Sequence, residues 1–180
     1  MKKGAVKWLL VFMLTTLAVA LGGCAGDKEG ESSSQITIGI PQDLEDSLDP
    51  HKAVAAGTKE VLFNLFEGLV KPTSDGDLIP AVASAYEESE GGKVYTFTLR
   101  DGVKFHDGSL VTAEDVKFSL DKCADTSNGG PLVPAFSNIE SVTIADDHTV
   151  VVTLQEADTE FLAYMTTAII PKANENPDTN

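Results

Sequence analysis

Cysteine is almost absent from this chain: 180 residues contain only Cys24 and Cys123. A scaffold held by several disulfides is therefore excluded. Histidine is equally scarce, and His51, His106 and His148 each fall in a stretch that reads as a turn. The usual sequence mark of a zinc site is a helical His pair or a closely spaced Cys pair, and neither occurs. Basic residues are outnumbered, 13 Lys and Arg against 28 Asp and Glu, for a formal net charge of −15. A body this acidic repels phosphate backbones, which argues against a nucleic-acid partner. No Gly-x-Ser-x-Gly turn and no phosphate-cradling glycine loop is present. The adjacent acids Glu87-Glu88 and Asp146-Asp147 read as solvated surface. No catalytic residue, metal ligand or cofactor is assigned. Long apolar runs are missing too, apart from Trp8 to Leu21, and that stretch of roughly 14 residues is shorter than the roughly 20 needed to span a bilayer.

That run has a context. Lys2, Lys3 and Lys7 lead it, and Leu21-Gly22-Gly23-Cys24 closes it. A positive start, a short apolar run and small residues form an export signal over residues 1–23. The Leu-Gly-Gly-Cys ending resembles the bacterial lipobox, which implies cleavage before Cys24 and acylation of its thiol. Losing three lysines and no acid would take the net charge from −15 to about −18. Membrane attachment then depends on lipid at Cys24, because no basic face is left to bind headgroups. Residues 24–35 are rich in Gly, Ser and acids and read as a flexible tether. With Cys24 lipidated, Cys123 has no partner, and it reads as a small buried hydrophobe on a helix.

The remainder is long enough for one ordinary domain and one core. Gln35 to Ile40 alternates and predicts a strand ended by Pro41, and an acidic loop follows to Lys52. Ala55 to Glu67 has helical spacing, with Thr58 as its expected N-cap and Gly68 as its stop. Leu69 to Lys71 is a short apolar run before a turn cluster at residues 73–77. Val94 to Leu99 alternates strictly, with Tyr95, Phe97 and Leu99 on the core face. A brief strand is expected over Val103 to Phe105. Thr112-Ala113-Glu114-Asp115 matches a capping box, with Asp115 at the third helical position and Val111 and Val116 as a hydrophobic staple. Val116, Leu120 and Cys123 share one face of that helix. Ile139 to Ile144 and Thr149 to Leu154 should pair as a hairpin around Asp146-Asp147-His148. Thr159 is the expected cap of a short helix through Met165. The fold class is α+β, with antiparallel strands and short helices.

The stretch from Tyr95 to Leu120, YTFTLRDGVKFHDGSLVTAEDVKFSL, resembles the characteristic segment of the family 5 extracellular solute-binding proteins, the oligopeptide-, dipeptide- and nickel-binding components of ABC importers. Other pieces fall in the family's order: Leu48-Asp49-Pro50-His51, Leu65-Phe66-Glu67-Gly68-Leu69, Ala83 to Glu88, Asp146-Asp147-His148-Thr149-Val150 and Ile170-Pro171-Lys172. The resemblance covers about Ile36 to Lys172.

The resemblance implies a two-lobed periplasmic-binding-protein-like type II fold. Residues 36–69 would be the first segment of the main ligand-binding lobe, 70–168 an additional subdomain, and 169–180 the start of a return to the main lobe. Members of the family are much longer, so the expectation is an N-terminal fragment whose second lobe lies beyond Asn180. It further implies a monomeric binding protein, not an enzyme, and together with the lipobox at Cys24 it places the protein, anchored by lipid, on the extracytoplasmic face of the cell membrane. Such a protein hands peptides to an ABC permease and ATPase complex. In oligopeptide-binding relatives the loop after Asp-Pro-His lends backbone groups to the peptide, and the matching positions are Ala53, Val54, Ala55, Ala56 and Gly57. Relatives often carry an acidic side chain in this loop where this chain has Val54 and Ala55, which leaves only backbone contacts. The same scaffold also serves nickel chelates, haem, glutathione or sugars. A surface lipoprotein enzyme and a signalling or adhesion lipoprotein are the alternatives from other classes.

Overall fold

The computed structural model describes residues 37–40, 44, 46–127 and 129–173. The export signal, Cys24, the tether, Gln35 and Ile36 of the expected first strand, and the tail after Ala173 lie outside the described residues. Thr37 to Ile40 forms no strand, contrary to expectation. A strand needs a hydrogen-bonded neighbour, and none among the described residues pairs with this stretch.

The ordered elements begin with helix α1, Ala56–Leu65. It starts later than its periodicity suggests and stops before Phe66, whose backbone is extended. Thr58 is not the N-cap: that position belongs to Ala55, which has no capping side chain. Strands β1, Val70–Pro72, and β2, Leu78–Pro80, follow as a small antiparallel pair around the expected turn cluster. In that turn the N–H groups of Asp75 and Asp77 donate to the Thr73 hydroxyl, and Gly76 takes the left-handed conformation.

A four-stranded antiparallel sheet forms the centre. Its strands are β3, Ala83–Ser89; β4, Val94–Leu99; β5, Ile139–Asp146; and β6, Thr149–Leu154, in the order β3-β4-β6-β5. Strand β4 has the expected alternation: Tyr95, Phe97 and Leu99 are buried, whereas Thr98 is exposed. The β5–β6 hairpin forms around Asp147 and His148 as its sequence predicts. Strand β3 coincides with the Ala83 to Glu88 motif, whose sequence does not itself predict a strand. It sits at a sheet edge and exposes Glu87 and Glu88, so its alternation is weak. The expected strand at Val103 to Phe105 is reduced to a single bridge between Lys104 and Leu110.

Helix α2, Ala113–Ala124, covers the buried face across β5 and β6. Its capping box is complete: the Asp115 N–H donates to the Thr112 hydroxyl, and the Thr112 N–H donates 2.9 Å to the Asp115 carboxylate. Val116, Leu120 and Cys123 point into the core against Phe97, Val142, Val150 and Val152. Burial pushes the Cys123 thiol up to about 12, which keeps it inert. The segment expected as a helix capped by Thr159 is instead a 3₁₀ turn, Phe161–Thr166, entered through Glu160 without a side-chain cap. Phe161 fills the gap beneath Tyr95 and Phe136, at ring separations of 5.8 Å. Tyr95, otherwise buried, donates its hydroxyl proton 2.6 Å to the Asp158 carbonyl, which satisfies the one polar atom it brings inside. Among the described residues Arg100 pairs with no carboxylate and donates to the backbone carbonyls of Ala81 and Ala83.

Candidate functional site

The loop from Asp46 to Gly57 is short of apolar anchors and is held by carboxylates. Asp46 Oδ2 accepts from the N–H groups of both Val54 and Ala55. It reaches across eight and nine residues to hold the backbone just before α1, and leaves the first helical N–H groups without a side-chain cap. The Thr58 hydroxyl, then the Ala55 and Val54 amides, hold the Asp46 carboxyl below the usual carboxylate range. A charge at that position also suits the positive end of a helix.

Asp49 is fully buried. Its carbonyl receives the N–H groups of Lys52 and Ala53 at 2.9 and 3.0 Å, and its Oδ1 receives the N–H of His51 at 3.0 Å. Asp49-Pro50-His51 is thus a turn closed by an aspartate side chain on its own backbone. Its Oδ2 meets the Lys122 ammonium of α2 at 3.0 Å and that of Lys52 at 3.7 Å. Burial pushes Asp49 up, but the His51 N–H and Lys122 outweigh it and leave the carboxyl below its ordinary value. His51 completes the anchor, with Nε2 2.7 Å from the Ala168 carbonyl oxygen. Burial holds this imidazole below its ordinary pKa, so it is neutral near pH 7.

The segment after the 3₁₀ turn is stitched to the stretch that follows α1 and to α2. The Ile169 N–H donates to the Glu67 carbonyl at 2.9 Å. The Ile170 N–H donates 2.9 Å to the buried Ser119 hydroxyl, which donates 2.8 Å to the Asp115 carbonyl. The Lys172 N–H donates 2.8 Å to Asp115 Oδ1. Gly68 allows this closeness: a Cβ there would lie 2.4 Å from the Met165 carbonyl oxygen.

Of the loop residues picked from sequence, Ala53 is buried and Val54 is 76% exposed. Ala56 and Gly57 form the first turn of α1. The structure brings them together in one short stretch at the helix N-terminus. What the sequence reading did not single out are the groups that position this stretch: Asp46, Lys122, Ser119 and the His51 contact to Ala168. Lys122 and Asp49 are 73 residues apart, and His51 and Ala168 are 117 apart, so no local pattern could pair them. His106 packs edge-on to Phe66, and His148 lies 3.4 Å from Asp101 on the surface. Among the described residues no group of three or more His, Cys, Asp or Glu could hold a metal ion.

Two open cavities flank this region. One of about 520 Å³ is lined by Leu65, Phe66, Val103, Phe105, Val111 and Ile169, among others. The other, of about 310 Å³, lies between His51, Phe63, Leu132 and Thr167. The first is largely apolar, and the second is about evenly polar and apolar.

Comparison with known proteins gives these elements their setting. The family model "Bacterial extracellular solute-binding proteins, family 5 Middle" matches residues 77–180. The oligopeptide-binding protein OppA of Bacillus subtilis is 37% identical over 126 residues, covering 68% of this chain and 23% of its own length. The glutathione-binding protein GsiB of Pectobacterium atrosepticum is 35% identical over 127 residues, 71% of this chain and 24% of its own length. Among solved structures, the murein tripeptide binding protein MppA of Escherichia coli is 32% identical, with a TM-score of 0.65 over 72% of this chain and 29% of that one. NikZ from Campylobacter jejuni, in complex with Ni(L-His), is 33% identical, with a TM-score of 0.61 over 67% of this chain and 25% of that one. The chain spans about a quarter of the length of these relatives. Its strands and helices are a portion of the α+β, type II periplasmic-binding-protein fold that those structures share. The chain belongs to family 5 of the bacterial extracellular solute-binding proteins, a family of binding proteins and not of enzymes.

Proposed function

We propose that this protein is a lipid-anchored, extracytoplasmic substrate-binding protein that captures peptides and delivers them to an ABC permease. The observation that carries this reading is family membership together with relatives named for peptides: the oligopeptide-binding OppA, and the B. subtilis AppA whose structure holds a nonapeptide. The anchor rests on Leu21-Gly22-Gly23-Cys24. In this reading residues 36–69 belong to a main lobe, 70–168 to an added subdomain, and 169–180 lead back to the main lobe.

Capture works by hydrogen bonding and closure, with no bond made or broken. The Ala53–Gly57 stretch meets the peptide main chain. Asp46 already occupies the N–H groups of Val54 and Ala55, so the loop offers the carbonyl oxygens of Ala53 and Val54 and the first helical N–H groups. Main-chain bonds of this kind give affinity without choosing side chains. The acidic charge of the body is no obstacle, because a peptide presents amide dipoles and an ammonium terminus.

The test is thermal unfolding of the protein as its gene encodes it, against a peptide library. A peptide-dependent rise in Tm supports the reading, since a ligand at about 100 times its Kd stabilises by about 2.7 kcal/mol. No rise with any peptide contradicts it. A second reading, a glutathione or nickel-chelate receptor, is favoured by GsiB and by NikZ. A Tm rise with glutathione or Ni(L-His), and none with peptides, would select it. Metabolic labelling with palmitate, lost in Cys24→Ala, tests the anchor.

A further inference from the structure

The Asp49–Ala53 turn is joined to the rest of the fold through a titratable ring. His51 Nε2 sits 2.7 Å from the Ala168 carbonyl oxygen, and a carbonyl only accepts, so Nε2 carries the proton. Nδ1 is then the deprotonated nitrogen. It is buried and has no hydrogen-bond partner among the described residues. A second proton on this ring would have to go there, where no acceptor waits.

The surrounding charges do not rescue it. Among the described residues the carboxylate that acts on the ring is Asp49, on the same loop, and Lys122 of α2 at 3.0 Å and Lys52 at 3.7 Å already engage it. Lys59 of α1 lines the same cavity as the ring and adds another cation. Leu132, Val133, Thr166, Thr167 and Ala168, which complete the wall, bring no charge. Ala168 leads directly into the stitched Ile169–Lys172 segment, so whatever frees His51 frees the loop from that segment.

We propose that His51 is a pH-sensitive latch: neutral, it pins the Asp49–Ala53 turn to Ala168, and protonated, it lets go. In the open loop both ring nitrogens reach water, so the open form binds the second proton better than the latched form. Acid therefore favours opening. Burial of the ring in the latched form acts in the same direction. The opening equilibrium should grow about tenfold for each pH unit below about 6.5, until the pH meets the latched-state value.

The test is native-state hydrogen exchange at the amides of Lys52 and Ala53, which both donate to the Asp49 carbonyl. Rates are expressed as protection relative to the unstructured chain, at about pH 7.5 and about pH 5.0. The latch predicts a loss of protection of about tenfold or more at these two amides in acid, with Phe97 and Val152 unchanged. His51→Gln keeps a donor for Ala168 but does not titrate, and its protection should not depend on pH. Equal protection at both pH values in the wild type, or the same acid loss in His51→Gln, overturns the proposal. Should His51→Gln fail to fold, the imidazole titration of the wild type decides. A single Nε2–H tautomer with a midpoint below 6.5 supports the latch, and an ordinary midpoint with mixed tautomers contradicts it. No readout uses a ligand, so the latch and the peptide reading fail independently.

Discussion

Residues 77–166 and residues 46–69 are held in place by different forces. The first stretch wraps a sheet around Tyr95, Phe97, Val150, Val152 and Leu154, all fully buried, and closes it with Val116, Leu120 and Cys123 from α2. The second buries little apolar surface among the described residues and leaves Phe63 64% exposed. Its loop is fixed by Asp46, Asp49 and His51, each acting on backbone groups. The segment that identifies the family is thus a packed scaffold, whereas the proposed ligand loop depends on a few polar bonds. Scaffold packing tolerates no voids. A polar loop can be loosened by pH or by a single side chain.

The largest effect should come from breaking the scaffold. Phe97→Ala removes a fully buried ring from the centre of β4 and should cost about 3–5 kcal/mol, read by urea unfolding. Loop contacts then serve as the contrast, because no single hydrogen bond there carries that much.

Breaking the stitch that ties the Ile169–Lys172 segment to α2 should cost less. Ser119→Ala removes the acceptor of the buried Ile170 N–H and the donor to the Asp115 carbonyl. A loss of about 1–3 kcal/mol is expected, with exchange of the Ile170 amide accelerating most. Thr112→Ala, which removes the α2 cap, should cost about 1 kcal/mol and leave the loop untouched.

The pH dependence sharpens the comparison further. Asp49 has a folded-state pKa below its ordinary 3.8, so its contribution is fully present above 3.8 and is lost as pH falls below that toward the folded value. Tm should therefore fall more steeply below pH 3.8 in the wild type than in Asp49→Asn. The variant should start lower at neutral pH, because Lys122 loses its charged partner. An identical acid limb in both proteins would show that Asp49 is not coupled to folding.

Much of the scaffold was legible in the sequence because its signals are local. The period-two run of β4, the capping box of α2 and the β5–β6 hairpin each declare themselves within a short stretch of chain. Strand β3 was missed because an edge strand with one solvated face shows little alternation. The start of α1 was misplaced because the helix has no side-chain cap and the backbone before it is held by Asp46, which no local capping pattern encodes. Thr159 looked like a cap, but the Asp158 carboxylate receives the Glu160 N–H and the turn winds as a 3₁₀ helix. The candidate loop was located by resemblance alone. The bonds that hold it, from Lys122 and Ala168, depend on tertiary contacts that sequence spacing does not encode.

The central claim is that ligand meets the polar loop and not the packed sheet. Hydrogen exchange of the protein as its gene encodes it, with and without a saturating peptide ligand, tests this directly. The account predicts that bound peptide slows exchange at the amides of Ala56, Gly57 and Thr58, while β4, β5 and β6 keep their rates. Slowed exchange in the sheet or in α2, with none at the start of α1, would contradict it.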